Sequence, residues 1–125
     1  MTAKNPTGTY PQHARAQLLD LEVIADRLLG ELPGSRRKTE TVAREAGVSV
    51  VVMAMEAGDE IKQHLAPGTV SIHALRGHIS INADNVDFDV RPAQVVFLQP
   101  STPHSVRAVE QSVIVLTVTG GNDHS

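Results

Sequence analysis

Two histidines are the residues of this sequence whose type and spacing could support chemistry. His64 follows Gly58 after five intervening residues, and His104 follows a turn that contains Pro100 and Pro103. An imidazole titrates near neutral pH and is a common metal ligand, so a pair can bind a divalent ion, move a proton or hydrogen-bond a small molecule. Apolar, strand-like sequence adjoins each histidine, which predicts that both lie at strand ends.

Other catalytic chemistry has no support in the residue types. The chain has no cysteine, which excludes a thiolate nucleophile, a disulfide framework and a zinc–thiolate site. It has neither a Gly-x-Ser-x-Gly turn nor a phosphate-binding glycine loop. Glu56 and Glu60 flank the first glycine turn and are candidates to approach the mouth of the site. Asp84, Asp87 and Asp89 lie beside a turn and are interpreted as a solvated face.

Length and charge limit the function classes. The 125 residues suit one domain, and the net charge of −3 argues against a nucleic-acid partner. The one basic cluster, residues 36–38, is interpreted as a solvated loop. No apolar run approaches membrane-spanning length, and the N-terminal segment MTAKNPTGTYPQ has no hydrophobic signal core. We therefore expect a soluble, cytoplasmic protein with no membrane partner.

The elements that must position the histidines begin with one helix. Between Pro11 and Leu32 apolar residues recur at spacings of three and four, which predicts a helix with a single apolar face. Asp20 is a candidate N-cap, and the pair Pro33-Gly34 ends the helix. We assign residues 1–34 to a flexible leader and this helix. The apolar stripe comprises Leu18, Leu21, Ile24, Ala25, Leu28 and Leu32.

After Ser35 the period changes to two, which predicts about nine short strands separated by turns. Such a run is typical of an antiparallel sandwich or barrel, which we assign to residues 35–119, with 120–125 as a flexible tail. On the strand 69–76 alternation places Val70 and Ile72 inward and His73 outward. On the strand 86–91 apolar and charged residues alternate, which predicts a half-buried strand. The predicted strands are 39–44, 48–55, 60–63, 69–76, 78–82, 86–91, 95–98, 104–109 and 112–118.

Three of these strands, 50–55, 95–98 and 113–118, are apolar on both faces. A small barrel needs only an apolar inner face, so the outer faces require a cover. The helix can cover one patch, and a second copy of the chain is the favoured cover for the rest, which predicts a homodimer. The alternative is a more deeply layered single chain.

The spacing of these residues resembles the cupins, which are small antiparallel jelly-roll barrels. Gly58, His64 and Gly77 match the framework of the first cupin motif, which predicts that both glycines occupy turns. The segment Pro100–His104 resembles the proline-containing turn and histidine of the second motif. The resemblance covers residues 45–118. It implies an all-β, antiparallel cupin-like jelly-roll barrel, here with an N-terminal helix.

The resemblance also implies a metal site, from which this sequence departs. Cupins typically hold a metal with three histidines and a glutamate; His64 and His104 match two of these positions, whereas Ala66 and Val70 occupy the other two. A divalent ion usually takes at least three protein donors. We therefore expect at most a weakly bound zinc, manganese, nickel or iron ion, and favour the histidines as polar lining of the barrel mouth.

Three functions stay open on the sequence. The favoured one is a non-catalytic small-molecule-binding or sensory cupin with its pocket in the barrel interior. The second is a metal-dependent enzyme of the dioxygenase or isomerase type that uses the two histidines, and the third is a structural dimerisation or protein-interaction module. The predicted pocket residues are His64, Ala66, Val70, Ile72, His104 and Val106.

Overall fold

The computed structural model describes residues 15–120, so the predicted leader, most of the tail, His13 and His124 lie outside the described residues. The described part contains one helix and nine strands. In chain order these are α1 (Leu21–Glu31), β1 (Arg37–Glu45), β2 (Val48–Met55), β3 (Glu60–His64), β4 (Thr69–Arg76), β5 (Ile79–Ala83), β6 (Val86–Val90), β7 (Val95–Leu98), β8 (His104–Ala108) and β9 (Ser112–Thr119). Within residues 15–120 no helix is long and apolar enough to span a membrane.

The helix begins where its cap was predicted. The Asp20 carboxylate accepts a hydrogen bond from the Val23 backbone N–H at 3.2 Å, which satisfies one of the donors that a helix start leaves free. The prediction for Leu18 was wrong: its side chain is 61% exposed. Leu18 precedes the cap, so it does not lie on the apolar face that the helix turns toward the sheet.

The strands form two antiparallel sheets that enclose the main core. One sheet has five strands in the order β1-β2-β9-β4-β7, and the other has four in the order β3-β8-β5-β6. Alternate residues of each strand point into the space between the sheets, as predicted for Val70 and Ile72 on β4. The interior is packed mainly by isoleucine and valine, with Met55 and Leu98.

A second core lies between α1 and the outer face of the five-stranded sheet. Ile24 and Leu28 of the helix pack there with Val52 of β2 and Val115 of β9. This contact explains why β2 and β9 are apolar on both faces. The helix does not cover β7, where the outward-facing Phe97 is 71% exposed.

Two strand interpretations need correction. The basic cluster is not a solvated loop, because β1 begins at Arg37 and includes Lys38. The strand β6 is not half-buried along its length: Val86 is 52% and Phe88 41% exposed, and only Val90 is buried. β6 is the edge of its sheet and pairs only with β5, so its inward side chains lack a neighbour on one side.

The candidate site at the His64–His104 pair

The two histidines lie opposite each other on neighbouring strands. β3 and β8 pair with Ile61 opposite Val106 and His64 opposite His104, so β3 has one more residue than β8 between these pairs. This irregularity is a β-bulge, a feature that re-aims a side chain. Without it, strict alternation from Ile61 would place His64 on the outer face. The bulge instead brings His64 to the inner face beside His104.

Each ring of the pair is held by a hydrogen bond at Nδ1. The ring centroids are 4.2 Å apart with the planes tilted by 56°. Nδ1 of His104 lies 2.9 Å from the Thr102 carbonyl oxygen, and Nδ1 of His64 lies 3.0 Å from that of Lys62. A carbonyl only accepts, so each Nδ1 carries a proton, and Nε2 is the nitrogen that can accept a hydrogen bond or bind a metal when the ring is neutral.

The two rings differ in exposure, and this sets the charge of the site. His104 is only 3% exposed, whereas His64 is exposed. Burial lowers the pKa of His104 below its ordinary value of 6.5, the neighbouring His64 lowers it further, and the hydrogen bond to Thr102 opposes both. His104 is therefore neutral at pH 7, and its Nε2 acts as a hydrogen-bond acceptor or a metal ligand.

The lowered pKa predicts how stability depends on pH. Because folded His104 resists protonation more than the unfolded chain does, its contribution is present above pH 6.5 and is lost as the pH falls through the folded pKa. We expect nitrogen NMR to show that the pKa of His104 lies below its ordinary value of 6.5. In a His104→Gln variant the unfolding free energy should fall less steeply than in the parent as the pH drops below 6.5. If the unfolding free energy of His104→Gln depended on pH as steeply as that of the parent, the lowered pKa of His104 would be contradicted.

The other predicted pocket residues lie in the interior core or pack against it. Ile72 and Val106 are 0% and 1% exposed within the interior core, and Val70 is 3% exposed. Ala66 is partly buried against the same core, and its carbonyl accepts the Ser101 backbone N–H at 2.8 Å. The first three side chains therefore belong to the packed interior core, and Ala66 packs against it.

The residues present do not provide a full ligand set for a metal ion. Among residues 15–120 no group of three or more histidine, cysteine, aspartate or glutamate side chains is placed to hold an ion. The candidate acids are also engaged elsewhere or exposed: Glu56 accepts a hydrogen bond from Gln111, and Glu60 is exposed on β3. The pair supplies two nitrogen donors, fewer than a stable divalent site uses.

A buried ion pair at the other end of β3 was missed by the sequence interpretation. Asp59 is 3% exposed, and its two carboxylate oxygens accept hydrogen bonds from Nε and Nη2 of Arg37 at 2.8 and 3.0 Å. The Glu60 backbone N–H also donates to this carboxylate. These bonds hold the pKa of Asp59 below its ordinary value. The signal available in the sequence was an aspartate directly after Gly58, but nothing local identified Arg37 as its partner.

The two motif glycines occupy the turns that were predicted for them. Gly58 and Gly77 both have φ of 86°, the left-handed region that side chains disfavour. Gly58 precedes the ion-paired Asp59 and donates its N–H to the Ala108 carbonyl. Gly77 connects β4 to β5. The two framework glycines of the first motif therefore allow the backbone to turn at these positions, as the resemblance implies.

Solved structures share this architecture. An RmlC-like cupin from Desulfovibrio desulfuricans is 26% identical, over 67% of this chain and 82% of that one, with a TM-score of 0.61. A cupin superfamily protein from Desulfitobacterium hafniense has a TM-score of 0.65 at 14% identity, over 68% of this chain and 78% of that one. The chain is a cupin by fold. No family model and no curated protein matches its sequence.

The cupin fold does not by itself assign an activity. The DMSP lyase of Ruegeria pomeroyi has a TM-score of 0.66 to this cupin, at 17% identity over 74% of this chain and 51% of that one. At that identity the likeness concerns the fold, and one fold hosts many functions. The function must therefore be argued from the histidine pair and its surroundings.

Proposed function

We propose that this small single-domain cupin is a non-catalytic protein that binds or senses a small molecule at the His64–His104 pair. The observation that carries the proposal is the convergence of two imidazoles whose Nδ1 atoms are both held by backbone carbonyls. Fixed rings present their Nε2 acceptors in a defined geometry to a ligand. In this proposal Val70, Ile72 and Val106 of the interior core, together with Ala66, supply the apolar part of the site.

The same hydrogen bonds favour a second candidate, a metal-dependent cupin enzyme. A histidine that ligates a metal commonly donates its other ring N–H to a carbonyl or carboxylate, as both do here. The donor count argues against it, because Ala66 and Val70 replace the remaining cupin ligands. A third candidate, a dimerisation or interaction module, takes its support from the exposed outer face of β7. We place the protein in the cytoplasm, with no nucleic-acid partner.

A ligand screen with matched histidine variants tests the proposal. We expect a panel of small polar compounds to include ligands that raise the melting temperature of the parent protein but not of His64→Ala. A His73→Ala variant should respond like the parent, because His73 lies on the outer face of β4. The proposed site would be contradicted if the rise in melting temperature were lost equally in both variants, or were lost in neither.

Metal content separates the two leading candidates. Elemental analysis of protein purified without added metal should find much less than one divalent ion per chain, because two imidazoles hold an ion only weakly. Stoichiometric zinc, manganese, nickel or iron that disappears in His64→Ala would favour the metalloenzyme instead.

We also propose that the protein is a homodimer that buries the outer face of β7. Val95 and Phe97 are 53% and 71% exposed there, and the register continues the patch across the sheet to His73 and Ser71 on β4. Exposed apolar patches of this kind are typical of interfaces. Sedimentation at micromolar concentration should give about twice the chain mass of 13.4 kDa. Phe97→Glu should produce a monomer and Phe88→Glu should not; a parent monomer would contradict the proposal.

A further inference from the structure

A charged cleft lies where the start of β1 meets the turn that precedes β3. Its volume is about 590 Å³, which lies within the range of about 300–1,000 Å³ that is usual for small-molecule sites. The proposed histidine site lies at the other end of β3, so the cleft is a separate place on the molecule. All but one of the lining residues are charged: Arg36, Arg37, Gly58, Asp59, Glu60 and Lys62.

One wall of the cleft is a fixed ion pair. The buried Asp59 carboxylate accepts hydrogen bonds from Nε and Nη2 of Arg37, and the same Nη2 donates to the Glu60 backbone carbonyl at 3.1 Å. Arg37 therefore neutralises Asp59 and joins β1 to β3. This pair sets the spacing of the two strands across the cleft and leaves its other charges to face solvent.

Two of the remaining charges are cations without a strong partner. Arg36 is 82% exposed, and its contact with Asp59 is a 3.8 Å approach to a carboxylate that Arg37 already satisfies. Lys62 is exposed on β3, and within residues 15–120 its ammonium makes no hydrogen bond or ion pair. Only the exposed carboxylate of Glu60 opposes them. The cleft thus carries one more cation than carboxylates, in a chain whose net charge is −3.

The chemistry of the two cations selects the kind of group that they bind. A guanidinium presents a planar fork of N–H donors that matches the two oxygens of a carboxylate or phosphate, and an ammonium adds a compact positive charge. Neither side chain can accept a hydrogen bond, so a hydroxyl or amide donor gains nothing from them.

We infer that this cleft is a second binding site, which takes a small molecule that carries a carboxylate or phosphate group. The fork of Arg36 bonds to the oxyanion, Lys62 contacts it from β3, and the Arg37–Asp59 pair holds the two strands at a fixed spacing. The cleft is larger than one oxyanion, so the rest of the molecule lies within it. The inference goes beyond the proposed function and does not depend on the histidine pair.

Inorganic phosphate and succinate are the two probes, each titrated into the whole protein at constant ionic strength. Binding is followed by NMR at the side-chain N–H of Arg36 and the backbone N–H of Gly58 and Lys62. Saturable shifts with at least one anion are the expected result, and the tighter anion identifies the head group. The affinity should fall as sodium chloride is added, because both cations are exposed and salt screens them. If neither anion gives saturable shifts at these residues, the inference is overturned.

Matched arginine variants show whether the cleft or the overall charge is responsible. Arg36→Gln and Lys62→Gln should each weaken binding about threefold, as expected for exposed charge pairs. Arg44→Gln is the control, because Arg44 is an equally charged, exposed residue near the other end of β1. It lies about 25 Å along the strand from Arg36, well beyond the screening length of about 8 Å at physiological salt. If Arg44→Gln weakens binding as much as Arg36→Gln, the anion has no defined site and the inference is overturned.

A carboxylate variant tests the opposite sign. Glu60→Gln should strengthen binding about twofold, because it removes the one carboxylate of the cleft that no arginine neutralises. Its control is Glu45→Gln, which makes the same change in net charge at the far end of β1 and should leave the affinity unchanged. Weaker binding in Glu60→Gln, or equal effects of the two substitutions, would contradict the placement of the anion between Arg36 and Lys62.

Discussion

Replacement of Gly77 by alanine is expected to unfold the protein or lower its unfolding free energy by about 4 kcal/mol or more. A Cβ at this position would lie 2.4 Å from the Gln111 carbonyl oxygen and 2.8 Å from Cα of Ser112, both backbone atoms. It would also lie 2.3 Å from Oγ of Ser112, which accepts the His78 backbone N–H in a partly buried hydrogen bond. The start of β9 would have to move, and the β4–β5 connection with it.

The matched control is Gly58→Ala. Gly58 has the same φ of 86°, but a Cβ at this position would have no atom within 4 Å, so only the conformational cost of about 1–2 kcal/mol applies. Urea denaturation of the two variants measures the difference, which isolates steric overlap from backbone strain. If the two variants lost equal unfolding free energy, the positive φ alone would explain why glycine is needed at both positions. The steric overlap with the start of β9 at Gly77 would then be wrong.

The comparison of the two glycines marks what the sequence could and could not predict. The resemblance to the first cupin motif predicted turns at both positions, because only the residue type and spacing were needed. The resemblance could not show which of the two glycines is more costly to replace. The crowding at Gly77 comes from Gln111 and Ser112, which lie far along the chain at the start of another strand. Alternation likewise predicted the inward face of β4, because that pattern is local.

The candidate site depended on features that are not local. The sequence suggested that His64 and His104 converge, but the bulge in β3 that turns His64 inward has no signature in residue type. The exposure of Val86 and Phe88 was also missed, since it follows from the edge position of β6, which strand order alone determines. A pattern of alternating residues indicates which side chains face inward. It does not indicate whether another strand covers them.

Replacement of Arg37 by methionine is expected to lower the unfolding free energy by about 2–3 kcal/mol at pH 7. Loss of one partner leaves the Asp59 carboxylate buried without its bidentate donor, which typically costs about 3–5 kcal/mol. The smaller figure applies because Arg37 itself is 37% exposed and solvent screens the pair. Urea denaturation gives the value directly. The same substitution should weaken the turn that precedes β3, because the Asp59 backbone bonds to Ala108 on β8.

Arg36→Met is the control, since it removes the same charge from the neighbouring position. Arg36 is 82% exposed, and its Nε lies 3.8 Å from the Asp59 carboxylate, too far for a hydrogen bond, so its loss should cost about 0.5 kcal/mol or less.

The pH dependence of the unfolding free energy supplies a second readout. The pKa of Asp59 is held below 3.8 mainly by its hydrogen bonds to Arg37, so the contribution of the pair is complete above that pH and is lost as the pH falls through the folded pKa. The gap between the parent and Arg37→Met should therefore narrow toward pH 2. A gap that persists there unchanged would show that Arg37 acts through the packing of its aliphatic stem and not through the carboxylate.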